Sequence, residues 1–160
     1  MDRITTEGTE THREHGGIRR NQRKLIVQKF GGTSVANVHR IRRVARIVEQ
    51  TKRRGNDVVV VVSAMGDQTD RLLNLARSVT PNPPKRELDM LLTSGERQST
   101  ALLSMALRGR GLDAVSFTGS QVGIITDDNH ADARIAEIRG DRLRSALRGD
   151  RIPVVAGSRA

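Results

Sequence analysis

Residues 25–62 read LIVQKFGGTSVANVHRIRRVARIVEQTKRRGNDVVVVV, and this stretch decides the fold. LIVQKF (25–30) is a strand-like run that stops at Gly31-Gly32. Thr33 and Ser34 offer a helix N-cap. Ile41, Val44, Ala45 and Val48 then recur at i, i+3, i+4 and i+7, the spacing of an amphipathic helix. Arg40, Arg42, Arg43 and Arg46 fall largely off that stripe, towards solvent. Gly55 ends the helix. VVVVV (58–62) is continuous rather than alternating, which predicts a strand covered on both faces. Strand, helix and strand make a βαβ unit with a right-handed crossover.

The pattern continues downstream. The loop SAMGDQTD precedes a short helix over 70–79, which PNPP (81–84) breaks. A long helix over 87–108 offers Leu88, Leu91, Leu92, Ala101, Leu102, Met105 and Ala106 for packing. A strand follows at 114–118. Residues 122–126 and 133–138 can pair as strands around the polar tip DDNHAD. A short helix over 142–148 leads to a last strand at 152–156. The class is α/β, a largely parallel sheet with a small β-hairpin.

With 160 residues the chain is one domain, or part of a larger one. A chain of this length buries roughly 70% of its extended surface, so it needs no covalent staples. It has no cysteine, which excludes disulfides and thiol catalysis. The net charge is +10, and 24 of the 28 basic residues are arginine. Residues 39–54 carry seven basic side chains against Glu49 alone, whereas residues 55–133 carry seven basic and ten acidic. The excess therefore sits mainly on one segment and reads as solvated helix surface. Phe30 and Phe117 are the only aromatics, which argues against nucleic acid as a partner.

Residues 1–24 have no apolar run, and we expect a disordered polar and basic tail rather than a secretory signal. No stretch approaches the roughly 18 apolar residues of a membrane helix, so the chain reads as soluble, and the lack of cysteine fits a cytoplasmic home. His12 and His15 on that tail, and His130 with Asp127, Asp128 and Asp132, read as solvated side chains. No metal site is assigned.

In open α/β sheets ligands gather at the carboxyl ends of the strands. Three segments there could carry chemistry. In the first, residues 29–34, two glycines allow close backbone approach to a phosphate. A helix N-terminus there adds N–H donors, and Lys29 a point charge. The second, residues 63–70, is rich in hydroxyls and carboxylates, although Thr69 or Asp70 could simply cap a helix. The third, Thr93-Ser94-Gly95-Glu96-Arg97-Gln98-Ser99, places a glycine and a charge inside an apolar helix. Interior glycine costs about 1 kcal/mol against alanine, so something local needs the space. Glu96 could receive a substrate ammonium, or pair with Arg97 or another arginine.

Taken together, QKFGGTS (28–34), VVVVVSAMGDQTDRLL (58–73), MLLTSGERQSTALLSMAL (90–107), SFTGSQVGIITDDNHADARI (116–135) and PVVAG (153–157) resemble the aspartokinase family of the amino-acid kinase superfamily. Uridylate and glutamate kinases share only the opening Lys-Gly-Gly logic. The resemblance implies a three-layer sheet of the amino-acid kinase type over residues 25–160. It also implies ATP-dependent phosphorylation of the side-chain carboxylate of L-aspartate, the first step towards lysine, threonine and methionine. By that resemblance Lys29 holds the transferring phosphoryl group. Gly31 and Gly32 cradle phosphate oxygens through their N–H groups, with Ser34 beside them. Ser63 and Thr69 line the aspartate pocket, and Glu96 meets the amino group. Mg2+ would bridge the ATP phosphates.

One departure is large. The family continues past PVVAG with FQG-like residues and a GRGGSD-type segment, whereas this sequence reads Ser158-Arg159-Ala160. The expectation is the aspartate- and phosphate-binding part of a truncated kinase domain, dead or very weak on its own. Such a part would expose a sheet edge and apolar surface, favouring homodimers or association with longer aspartokinase chains. The alternative reading is a non-catalytic split or decoy subunit that docks on a full-length kinase.

Overall fold

The computed structural model describes residues 23–126 and 135–157. Strand β1 (Leu25–Phe30) leads through a 3-10 turn at Gly32–Val35 into helix α1 (Val38–Arg53) and strand β2 (Asp57–Val62). Helices α2 (Gln68–Val79) and α3 (Lys85–Arg108) follow, then β3 (Ala114–Phe117) and a second 3-10 turn at Ser120–Val122. Strands β4 (Ile124–Thr126) and β5 (Ile135–Ile138), helix α4 (Asp141–Arg148) and strand β6 (Ile152–Ala156) complete the order. The tail histidines and the DDNHAD tip lie outside the described residues.

Four strands form one parallel sheet in the order β1-β2-β6-β3, and β4 pairs antiparallel with β5. The class is the α/β one expected. The last strand, β6, lies between β2 and β3, and every residue from Ile152 to Ala156 is buried. Its run of apolar residues suits a position with strands on both sides and helices above and below.

The sheet is the middle of three layers. On one face α1 and α3 cover Val58, Val60, Val62, Ala114, Ile152 and Val154. The predicted stripe Ile41, Val44, Ala45 and Val48 is the buried side of α1, and the four named arginines are exposed. On the other face Val122 and the α4 residues Leu143 and Leu147 cover Val59, Val155 and Phe117. That cover stops short of β1, where Leu25 and Val27 are 58% and 61% exposed.

Several local expectations need correction. Thr33 and Ser34 do not cap α1; they lie in the 3-10 turn, and Asn37 is the N-cap, accepting the Arg40 N–H at 3.0 Å. Neither Thr69 nor Asp70 caps α2, whose N-cap is Asp67, without a side-chain bond. Val122 belongs to the second 3-10 turn rather than to β4. Helix α3 buries Gly95, Ser99, Thr100, Leu103, Ser104 and Leu107, while Met105 is 66% exposed. Four of these six buried residues are small. Ser99 and Thr100 satisfy their hydroxyls on the Gly95 and Arg97 carbonyls of the preceding turn, at 3.2 and 2.9 Å.

Candidate functional site

Parallel pairing puts the carboxyl ends of the four strands at one edge. Phe30 lies opposite Val62, Val62 opposite Ala156, and Phe117 opposite Val155. The segments that leave this edge are residues 31–36, 63–67, 118–123 and Gly157.

The first two segments are joined through their backbones. The Ser63 N–H donates to the Phe30 carbonyl at 3.2 Å, and the Gly66 N–H to the Gly32 carbonyl at 2.9 Å. The junction is tight enough to dictate residue type. A Cβ on Gly32 would stand 2.7 Å from the Ala64 carbonyl oxygen, a backbone atom that cannot swing aside. Gly66 adopts φ +50° and faces the Ala36 Cβ at 3.3 Å from where its own Cβ would be. Glycine holds the left-handed conformation there without the Cβ penalty. Gly157 closes the third side, its N–H donating to the Val62 carbonyl at 2.8 Å.

Helix α3 enters this assembly at Gly95. A Cβ there would lie 3.2–3.3 Å from Gln68 Cγ, Ala64 Cβ and Leu72 Cδ1. The mid-helix glycine is therefore what lets α3 lie against the 63–68 loop and the first turns of α2. It brings the turn carrying Glu96 beside the segment carrying Ser63 and Thr69. Gly32, Ser63 and Glu96 are half-buried, while Lys29, Gly31, Ser34 and Thr69 are exposed. Lys29 projects from the face of β1 that α4 leaves open, at the end nearest the loops. Thr118 and Gln121 bond each other twice, backbone to side chain, at 3.0 and 3.2 Å, so that loop holds its own shape.

Gly66, Gln68 and Gly157 support this edge without having been singled out from the sequence. Only Gly66 carried a signal, as the glycine within the polar loop after VVVVV.

At the amino edge of the sheet Lys52 and Arg23 hold the Asp150 carboxyl below its usual range, Lys52 by a hydrogen bond of 2.9 Å. Asp57 there has a buried oxygen with no hydrogen bond; Lys52 and Arg23 stand 3.5 and 3.6 Å from it. On α1, Arg110 and Arg53 hold the Glu49 carboxyl low. Among the described residues no three of His, Asp, Glu or Cys converge as a metal cage. No described helix is long and apolar enough to cross a membrane.

The family model described as the amino acid kinase family matches residues 24–160. An aspartokinase from Mycolicibacterium smegmatis is 59% identical over 133 residues, 83% of this chain and 32% of that protein. One from Corynebacterium glutamicum is 55% identical over the same share of each. The chain thus spans about a third of the length of these curated relatives. Among solved structures, aspartate kinase from Synechocystis superposes with a TM-score of 0.72 at 51% identity, over 84% of this chain and 22% of that one. E. coli aspartokinase III, in complex with aspartate and ADP, superposes at 0.70 with 22% identity, over 82% of this chain and 40% of that one. The latter likeness is one of fold.

Proposed function

The chain belongs to the amino acid kinase family, and from that premise we propose that its carboxyl-edge loops serve an aspartate kinase reaction. In that reaction the side-chain carboxylate of L-aspartate attacks the γ-phosphorus of ATP. One P–O bond forms, the bond to the bridging β–γ oxygen breaks, and ADP leaves with that electron pair. The nucleophile is already ionised at neutral pH, since aspartate titrates near 3.9. No general base is required, only positioning and charge stabilisation.

The observation that carries the reading is the junction of three segments at one sheet edge. Residues 29–34 and 63–69 are tied by the two backbone bonds, and the Gly95–Glu96 turn is packed on the second of them. In this reading the Lys29 ammonium holds the transferring phosphoryl group. The N–H groups of Gly31 and Gly32, with Ser34 beside them, receive phosphate oxygens. Ser63 and Thr69 line the aspartate side, and Glu96 takes the substrate ammonium. Mg2+ would come with the ATP phosphates and neutralise their charge. The cytoplasm, where ATP and free aspartate meet, is the compartment that fits.

The two halves of the site make separable predictions. In calorimetric titrations Lys29→Ala should weaken ATP binding about tenfold, roughly the loss of one charge-assisted contact, and leave L-aspartate unaffected. Glu96→Gln should do the reverse. Equal losses on both ligands, or none, would overturn the assignment.

A second reading is favoured by exposed Leu25 and Val27 on edge strand β1. Such a surface suits a second copy or a longer aspartokinase chain, as a docking subunit would need. Sedimentation of wild type and Val27→Asp tests it: a shift from dimer to monomer supports docking, and a monomeric wild type that fails to co-purify with a longer chain refutes it.

A further inference from the structure

The basic excess of residues 39–54 takes no part in the reaction above. Two of its exposed arginines, Arg42 and Arg46, line a groove. This groove of about 470 Å³ runs between α1 and the end of α3, with His39, Arg42, Arg46 and Arg110 on its walls and Ala45 and Ala106 in its lining. Arg42 and Arg46 stand four residues apart on one helix, a like-charge spacing that destabilises a helix unless something offsets it. Arg110 is offset, because Glu49 binds it. Glu49 also binds Arg53, so that carboxylate is already shared. Arg42 and Arg46 make no ion pair or hydrogen bond with any described residue. The first turn of α1 carries no acidic residue to balance them.

We propose that this groove is a second ligand site, one that takes a small molecule bearing clustered oxyanions. Three observations carry this. Its volume lies in the range of small-molecule pockets. Its walls carry guanidinium groups, whose planar forks bind phosphate or carboxylate in pairs. Ala45, Ala106 and Gly109 complete its lining, so small residues stand beside the arginines. The site is on the α1/α3 layer, whereas Lys29 projects from the opposite face of the sheet. Binding here would therefore not use the Lys29 ammonium. Two phenylalanines in the whole chain leave no aromatic platform for stacking the bases of a single strand.

The test uses inorganic pyrophosphate as the probe, with the Lys29→Ala chain as background, in which the cradle is about tenfold weaker and is resolved from the groove as the site that Arg42 and Arg46 do not affect. Calorimetry at low salt should show a saturable site in the groove. Arg42→Ala/Arg46→Ala should weaken it at least tenfold, with unchanged circular dichroism because both side chains are exposed. Affinity should fall as salt rises. Citrate in place of pyrophosphate tells carboxylate from phosphate: binding by either, lost in the double variant, supports the site. No saturable binding of either probe overturns it. So does binding that the double variant retains in full, or binding only of a poly-aspartate peptide.

Discussion

Gly32 is the residue on which the candidate site turns. Its missing Cβ is what permits the loop after β1 to lie on the Ala64 carbonyl, 2.7 Å from where that carbon would be. Gly32→Ala should cost about 1–3 kcal/mol, the usual penalty for overpacking against atoms that cannot move. A lowered urea midpoint would show it; an unchanged midpoint would mean the two loops are free to separate. Asp150 makes a different single-residue claim, about pH. Its carboxyl is held low in the fold by Lys52 and Arg23, so its contribution is present above the ordinary carboxylate range and lost as pH falls through the lowered value. Asp150→Asn should lower the melting temperature at neutral pH, and the gap to wild type should close under acid. Asparagine keeps the tolerance for φ +58° that this position needs, so the substitution isolates charge. A gap that stays constant with pH would contradict the pairing.

At the scale of elements, α3 is where sequence and structure part most instructively. Its apolar residues were visible, yet the buried stripe runs through Gly95, Ser99, Thr100 and Ser104 as well as Leu103 and Leu107. Small hydroxyl residues bury against neighbours while bonding their own helix, and hydropathy periodicity cannot register that. Gly95 itself was legible as an anomaly, a costly residue in a helix interior, but its neighbours Gln68, Ala64 and Leu72 come from other elements and needed the fold. In a solvated helix Gly95→Ala would gain about 1 kcal/mol. Here the added carbon meets three atoms at 3.2–3.3 Å, one of them the stiff Ala64 Cβ. The expected result is no gain in melting temperature; a rise of several degrees would show that α3 does not bear on the loop. The helix α1 stripe, by contrast, was fully readable, because Ile41, Val44, Ala45 and Val48 are all apolar and all face one sheet.

At the scale of the molecule, the strands and their class were legible, but their order was not. Nothing local in IPVVA says that the last strand enters between β2 and β3; only the complete burial of residues 152–156 reflects it. That insertion brings Gly157 beside Val62 and aligns the carboxyl ends on which the proposed function depends. The candidate residues were named from their motifs, whereas the backbone bonds that unite them span separate segments and became visible only in three dimensions. The central claim is that this edge receives L-aspartate. It is tested most directly by recording amide nuclear magnetic resonance spectra of the folded chain during titration with L-aspartate. Saturable shifts should concentrate in residues 63–69 and around Gly95 and Glu96, and should be lost in Glu96→Gln. Shifts confined to other parts of the chain, or none at saturating aspartate, would contradict it.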